Sequence, residues 1–138
     1  MLICQEELTI ETSGRGSYEL TALINDLLAK VEAVTGICHL FIKHTSASLM
    51  ICENQDPSVR VDLETFMSDL VPDGDRRFIH TYEGPDDMPA HVRSVLTQTN
   101  LSIPITSKKL ALGTWQGVYL WEHRLEENKR TIVLTIHS

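Results

Sequence analysis

Histidines and carboxylates stand near the ends of apolar segments along this chain of 138 residues. The candidates are His44, His80, Glu83, His91, Glu122 and His123. Neutral imidazoles and carboxylates are the usual ligands of zinc, and the same groups act as acids and bases in catalysis. A fold that gathers these elements would therefore form a metal or acid–base site. The alternative is a set of ordinary histidines, because no HExxH motif or paired-cysteine motif gives the spacing of a known metal site.

The stretch "HTSAS", residues 44–48, ends an apolar segment with a histidine and the hydroxyls of Thr45, Ser46 and Ser48. Polar side chains beside a core must find hydrogen-bond partners or a ligand. These hydroxyls, with free N–H groups at a helix start near "GPDDMPAH", could bind an anion such as phosphate. The competing interpretation is that they satisfy the backbone of their own turn.

The composition predicts one domain, residues 1–138, with an ordinary core. The net charge of −7 makes nucleic acid and anionic membranes poor partners. The start of the chain lacks the basic region of a signal peptide, and no apolar run reaches the length of a membrane span. Three unpaired cysteines in apolar segments agree with buried free thiols, so we expect a cytoplasmic protein.

Periodicity predicts helices and strands that together define an α+β fold. Strands are expected at residues 2–12, 37–43, 48–53, 101–106, 118–124 and 131–137. The first helix has a candidate cap at Ser17, and the second has Asp56 as its cap and Pro57 in its first turn. In the third helix, capped by Asp86 or Asp87, an apolar stripe that ends with Val95 and Leu96 is expected to face inward.

Short connections between the C-terminal strands favour a mainly antiparallel sheet. Pro104 predicts an edge strand, and "EENKR" predicts a hairpin loop. In the second helix an inward stripe includes Phe66 and Leu70, and about fifteen residues without periodicity follow "VPDGD". A loop of this length is often functional.

Three segments, "HTSASLMICENQDPSVRVDLE", "HTYEGPDDMPAHVRSVL" and "LALGTWQGVYLWEHR", together resemble the YjbQ family of small uncharacterised proteins. The resemblance runs in order through nearly the whole chain. It implies an α+β trimer with a site near subunit contacts. It also implies a secondary thiamine-phosphate synthase activity, which joins a pyrimidine diphosphate to a thiazole phosphate and releases pyrophosphate.

The resemblance carries over to particular residues of this sequence. They are His44, Thr45, Ser46, Ser48, Asn54, Asp56, His80, Glu83, His91, Trp115, Gln116, Glu122 and His123. Departure of pyrophosphate needs cationic help, and the cations that would have to contribute are Arg60, Arg93, Lys108 and Arg124. A histidine-rich site favours zinc, although magnesium is possible.

The leading hypothesis is a homotrimeric enzyme in which His44, His80 and His91 gather around a metal or a phosphate. His123, with Glu122 or Glu83, would then serve as acid–base groups. The first rival is a non-catalytic module that binds a phosphorylated metabolite. The second is a structural trimer whose polar residues satisfy one another.

Overall fold

Eight strands and three helices are found in the computed structural model, which describes residues 2–138. In chain order they are β1 (Ile3–Thr12), β2 (Gly16–Glu19), α1 (Thr21–Val31), β3 (Thr35–Ile42), β4 (Ala47–Glu53), α2 (Ser58–Leu70), α3 (Asp87–Leu96), β5 (Asn100–Thr106), β6 (Lys109–Leu110), β7 (Gln116–Glu122) and β8 (Asn128–His137). The predicted α+β class is confirmed. None of the helices within residues 2–138 is long and apolar enough to cross a membrane.

The strands form two antiparallel sheets. The larger has the order β1-β8-β3-β5-β6 and the smaller the order β2-β7-β4. β5 pairs along its length with β3, and only the two residues of β6 cover part of its other side. Pro104 therefore lies near the edge of the sheet, as its missing N–H predicts.

Alternating Leu and Ile side chains from both sheets, with one face of α1, make a single continuous core. Leu40, Ile132, Leu134 and Leu120 in this core have no exposed surface. Each such side chain contributes roughly 1.5–3 kcal/mol through burial. The central strand β7 is covered on both faces, since every residue from Gly117 to Glu122 is buried. Polar side chains at its end are therefore carried into the interior.

Two local predictions are wrong. Ser17 does not cap α1, because it lies in β2, a strand that periodicity missed, and α1 begins after Leu20. "EENKR" is not a hairpin loop, because β8 already begins at Asn128. Its neighbour along the chain, β7, belongs to the other sheet, so residues 123–127 cross between sheets.

The inward stripes predicted for α2 and α3 are also partly wrong. Phe66, Leu70, Val95 and Leu96 are all more than half exposed. α3 instead buries Pro89 and Ala90 with the polar Asp87, Arg93 and Ser94. Both helices consequently present large apolar side chains outward, and α3 also turns charged side chains inward.

Candidate functional site

His80, Asp87 and His91 come together where the long loop meets α3. Their ligand atoms all lie within 4.8 Å of one another. One carboxylate oxygen of Asp87, Oδ2, lies 2.8 Å from Nε2 of His80 and 3.2 Å from Nε2 of His91. Asp87 is nearly fully buried, whereas the two imidazoles remain partly accessible. This group joins two of the three predicted histidines.

The backbone fixes the orientation of the His91 ring. Its Nδ1 lies 3.0 Å from the carbonyl oxygen of Thr45. A carbonyl only accepts hydrogen bonds, so Nδ1 carries a proton, and the other ring nitrogen, Nε2, faces the Asp87 carboxylate. Nε2 either donates a proton of its own to that carboxylate or, without one, can share a metal ion with it. A carbonyl on the distal ring nitrogen is also the usual support of a histidine metal ligand.

The guanidinium of Arg124 holds the other side of Asp87. Its Nη1 donates to Asp87 Oδ1 at 2.9 Å, and its Nε donates to Asp86 Oδ2 at 2.9 Å. A third nitrogen, Nη2, donates to the carbonyl of Glu83 at 3.0 Å. Burial alone would raise the pKa of Asp86, but the Leu125 N–H and Arg124 lower it overall. Arg124 thus ties the loop to the start of α3 and keeps Asp87 aligned.

Glu122 lies in a separate buried ion pair. Its two oxygens accept hydrogen bonds from the Nε and Nη2 of Arg130, with the Nε bond at 2.8 Å. Thr12 Oγ1 donates at 2.7 Å, and the Arg124 N–H donates at 3.1 Å. Arg130 also donates to Ser46 Oγ at 3.0 Å. With no exposed surface and four donors, this carboxylate is fully engaged inside the subunit.

His123 is also completely buried, packed against Trp121 and bonded through Nε2 to Ser48 Oγ at 2.8 Å. Its Nδ1 is buried without a hydrogen-bond partner among residues 2–138. Burial, followed by the positive charges of Arg93, Arg15 and Arg130, lowers the pKa of His123 to about 3. Its ring is therefore neutral at physiological pH.

This burial makes stability depend on pH. The unfolded chain protonates His123 near its ordinary pKa of 6.5, whereas the folded ring stays neutral until about 3. The unfolded state therefore binds the extra proton in this window, and the free energy of unfolding should fall by up to roughly 1.4 kcal/mol per pH unit on acidification. Urea unfolding between neutral and mildly acidic pH, compared for the wild type and His123→Gln, measures this slope. Parallel slopes in the two proteins would contradict the prediction.

The structure does not place His44 in the group with His80 and His91. β3 ends at Ile42, before His44, and the His44 Nε2 accepts the Thr131 N–H at 2.8 Å. Burial and the charge of Arg130 lower the pKa of His44. His44 and His91 nevertheless line one small cavity of about 260 Å³, together with Thr45 and Ser94.

The other predicted ligand-binding residues divide between two places. Ser46 and Ser48 lie at the start of β4, where their hydroxyls contact Arg130 and His123. Asn54, Trp115 and Gln116 lie at the opposite end of β4 and β7, with the Asn54 N–H donating to the Trp115 carbonyl at 2.9 Å. A strand of this length separates the two places by about 20 Å.

Two single residues complete the predicted set. Asp56 accepts hydrogen bonds from the backbone and hydroxyl of Ser58, which lower its pKa, but Pro57 and not Asp56 takes the cap position of α2, one residue later than predicted. Glu83 has a side chain that is 58% exposed and lies 3.7 Å from Arg124. It is therefore an accessible carboxylate that shares Arg124 with Asp87.

Sequence reasoning did not assign a site role to Asp87 or Arg130, and it named Arg124 only as a cation for the departure of pyrophosphate. The spacing of Asp87 and His91, at i and i+4 on one helix face, was a usable signal for the first of these. Nothing in the local sequence pairs Arg124 with Asp86 and Asp87, about 37 positions earlier. Such contacts follow only from the tertiary fold.

Fold and site together define an α+β protein with a histidine–carboxylate group held by a buried arginine. The family model described as "UPF0047 protein YjbQ-like" matches residues 6–138, and the chain belongs to this family. It is 47% identical over 132 residues to UPF0047 protein sll1880 of Synechocystis, covering 96% of this chain and 90% of the relative. It is 42% identical over 135 residues to UPF0047 protein YjbQ of Escherichia coli O157:H7, covering 97% of each.

A solved structure gives the same assignment. The fold is similar to that of an uncharacterised YjbQ/UPF0047 family protein of Clostridium acetobutylicum, with a TM-score of 0.85 and 29% sequence identity. The similarity covers 96% of this chain and 99% of the other. The resemblance predicted from three sequence segments is therefore confirmed.

Proposed function

We propose that this protein is a metal-dependent enzyme that acts on small phosphorylated metabolites, with His80, Asp87 and His91 as the metal ligands. The observation that carries the proposal is the meeting of one buried carboxylate oxygen with the Nε2 atoms of two imidazoles. The carbonyl of Thr45 orients one of these rings so that its Nε2 faces the carboxylate.

The donor set supports zinc over magnesium. Two imidazoles and one carboxylate are a common set for catalytic zinc with one open position, whereas magnesium prefers oxygen ligands and retains water. A zinc ion held there would supply Lewis acidity towards a phosphate or pyrophosphate oxygen. Arg124 would keep Asp87 aligned, and the partly exposed rings of His80 and His91 would form the accessible side.

Glu83 is the acid–base group that we favour. Its side chain is exposed beside the loop, and its backbone is fixed by Arg124. Glu122 and His123, the other two candidates, have no exposed surface, so a substrate could reach them only after rearrangement of the subunit. Their catalytic roles stay predictions.

The finer proposal is a weak or secondary thiamine-phosphate synthase activity, as the family resemblance implies. This reaction needs positive charge for the departing pyrophosphate. Arg93 and Arg124 are already engaged with Glu64 and with Asp86 and Asp87. Because these two cations are already paired, we favour a main reaction other than thiamine-phosphate synthesis, again on a phosphorylated substrate.

A homotrimer in the cytoplasm is part of the same proposal. The outward apolar side chains support assembly, because a neighbouring subunit could cover apolar surface that is exposed in the single chain. They include Val61, Phe66, Leu70, Val95 and Leu96. The free thiols of the three cysteines agree with a reducing compartment. Assembly would also offer a way to bring Trp115 and Gln116 of one subunit towards the histidine group of another.

Metal analysis of protein purified without chelator tests the ligand set. We expect zinc in the wild type and its loss in His80→Ala and His91→Ala, because each variant removes a direct ligand. His44→Ala should retain the metal, since the His44 Nε2 already accepts a backbone N–H. His39→Ala, on the outer face of β3, is the matched control. Retention of zinc by both His80→Ala and His91→Ala would overturn the proposed site.

The same proteins separate the rivals. A protein that binds no metal, yet is stabilised against heat by phosphate or thiamine precursors, is a non-catalytic binding module. A protein without either effect, whose histidine variants only lose their trimeric mass in sedimentation, is a structural assembly.

A further inference from the structure

A second cavity, of about 460 Å³, adjoins the histidine group. The long loop and the start of α3 form it, and His80 is part of its wall. Arg76, Phe78, Pro85 and Met88 supply much of the remaining lining. Because His80 belongs both to this wall and to the group with Asp87, a molecule in the cavity would lie directly beside the proposed metal site.

Arg76 is the free positive charge in this cavity. It makes no ion pair or hydrogen bond within residues 2–138. The neighbouring carboxylate, Asp75, also lines the cavity but is occupied by Arg77, whose Nη2 donates at 2.6 Å and Nε at 3.0 Å. The sign of the available charge is therefore positive, although the protein as a whole is acidic.

Apart from His80 and Thr81, the rest of the lining is apolar or glycine. Phe78 and Met88 are half-buried, and Pro89 is buried beside them. Apolar walls with a few placed polar groups are typical of small-molecule sites, and the volume lies in their usual range. A guanidinium binds phosphate through two parallel hydrogen bonds, which makes arginine better suited to this anion than lysine.

We propose that this cavity binds an organic phosphate ester with a planar ring, with Arg76 on the phosphate and Phe78 and Met88 against the ring. This inference rests on the proposed function, since it names the substrate class of the same site. Arg76 is then the residue that selects a phosphorylated substrate. It is not among the cations that sequence reasoning offered for this role.

Titration calorimetry with phenyl phosphate tests the proposal on the full-length protein. We expect Arg76→Gln to weaken binding by roughly tenfold or more, through loss of a charge-assisted pair. Phe78→Ala should weaken phenyl phosphate but leave inorganic phosphate unchanged. Lys30→Gln, an equal change of charge on α1 outside the cavity, should bind like the wild type. Phenol and benzoate, which lack the phosphate, should bind much more weakly.

Zinc titration of the same variants keeps this test separate from that of the proposed function. Arg76→Gln should bind zinc like the wild type, because Arg76 is not a ligand. Dependence of phenyl phosphate binding on Arg76 without any zinc binding would support the cavity and overturn the metal site. Wild-type protein that does not bind phenyl phosphate, or equal weakening by Arg76→Gln and Lys30→Gln, would overturn the cavity proposal whether or not zinc binds.

Discussion

Replacement of Glu122 by alanine should lower the free energy of unfolding by about 3–5 kcal/mol, because it leaves the buried Arg130 guanidinium without its partner. Arg130 is 4% exposed and Glu122 is not exposed at all. The variant also removes the acceptor of the Thr12 hydroxyl, which donates at 2.7 Å. Unsatisfied buried groups of this kind carry most of the cost.

Urea unfolding of Glu122→Ala beside Glu126→Ala measures this effect. Glu126 is 65% exposed in its contact with Arg124, so its loss should change stability by less than about 1 kcal/mol. The double variant Glu122→Leu, Arg130→Met should recover much of the loss, since an apolar pair of similar volume often replaces a buried ion pair. If Glu122→Ala is as stable as the wild type but loses thiamine-phosphate synthase activity, the result would instead favour the acid–base role predicted for Glu122 from the sequence.

Replacement of Arg124 by alanine should have a comparable effect and should also release the long loop. The change leaves the carboxylates of Asp86 and Asp87 buried side by side without their shared cation. It also removes the donor to the Glu83 carbonyl, which anchors residues 71–86. We expect a loss of about 3–5 kcal/mol in the free energy of unfolding.

Hydrogen exchange distinguishes this release from general destabilisation. Amides of residues 72–86 should exchange much faster in Arg124→Ala, at a urea concentration where the core amides of β3 and β8 remain protected. Arg77→Ala, which removes an ion pair whose arginine is 84% exposed, is the control and should change little. Unchanged exchange in the loop of Arg124→Ala would show that the guanidinium does not anchor it.

Much of the fold could be predicted from sequence because strands and helices have different periods. Alternation located β3, β5 and β8 to within about three residues. The short strands β2 and β6 gave no pattern because they are four and two residues long. They exist only because β7 and β5 offer them hydrogen-bond partners.

The helix faces could not be predicted from an apolar stripe alone. In α3 the side that faces the interior carries Asp87 and Arg93, which are buried because Arg124 and Glu64 pair with them. Those partners come from distant segments, and a hydrophobic pattern does not contain them. The apolar residues Val95 and Leu96 were therefore assigned to the interior, although they lie on the surface.

In the site, too, the contacts between neighbouring segments could be predicted and those between distant segments could not. His80 and His91 were correctly expected to be neighbours, and their meeting depends on a loop and a helix that adjoin in sequence. His44 was expected beside them because the family resemblance carried all three histidines over together. The strand stops at Ile42, and a backbone N–H of β8 occupies the ring of His44 instead.

The crossing from β7 to β8 has one more consequence. Glu122, His123 and Arg124 are consecutive, yet their side chains go to Arg130, Ser48 and the Asp86–Asp87 pair respectively. Inserting or deleting a single amino acid among them would move every residue after the change away from its partner. The number of residues in this connection is therefore as important as their identity. A change in its length should destabilise the protein more than any one substitution within it.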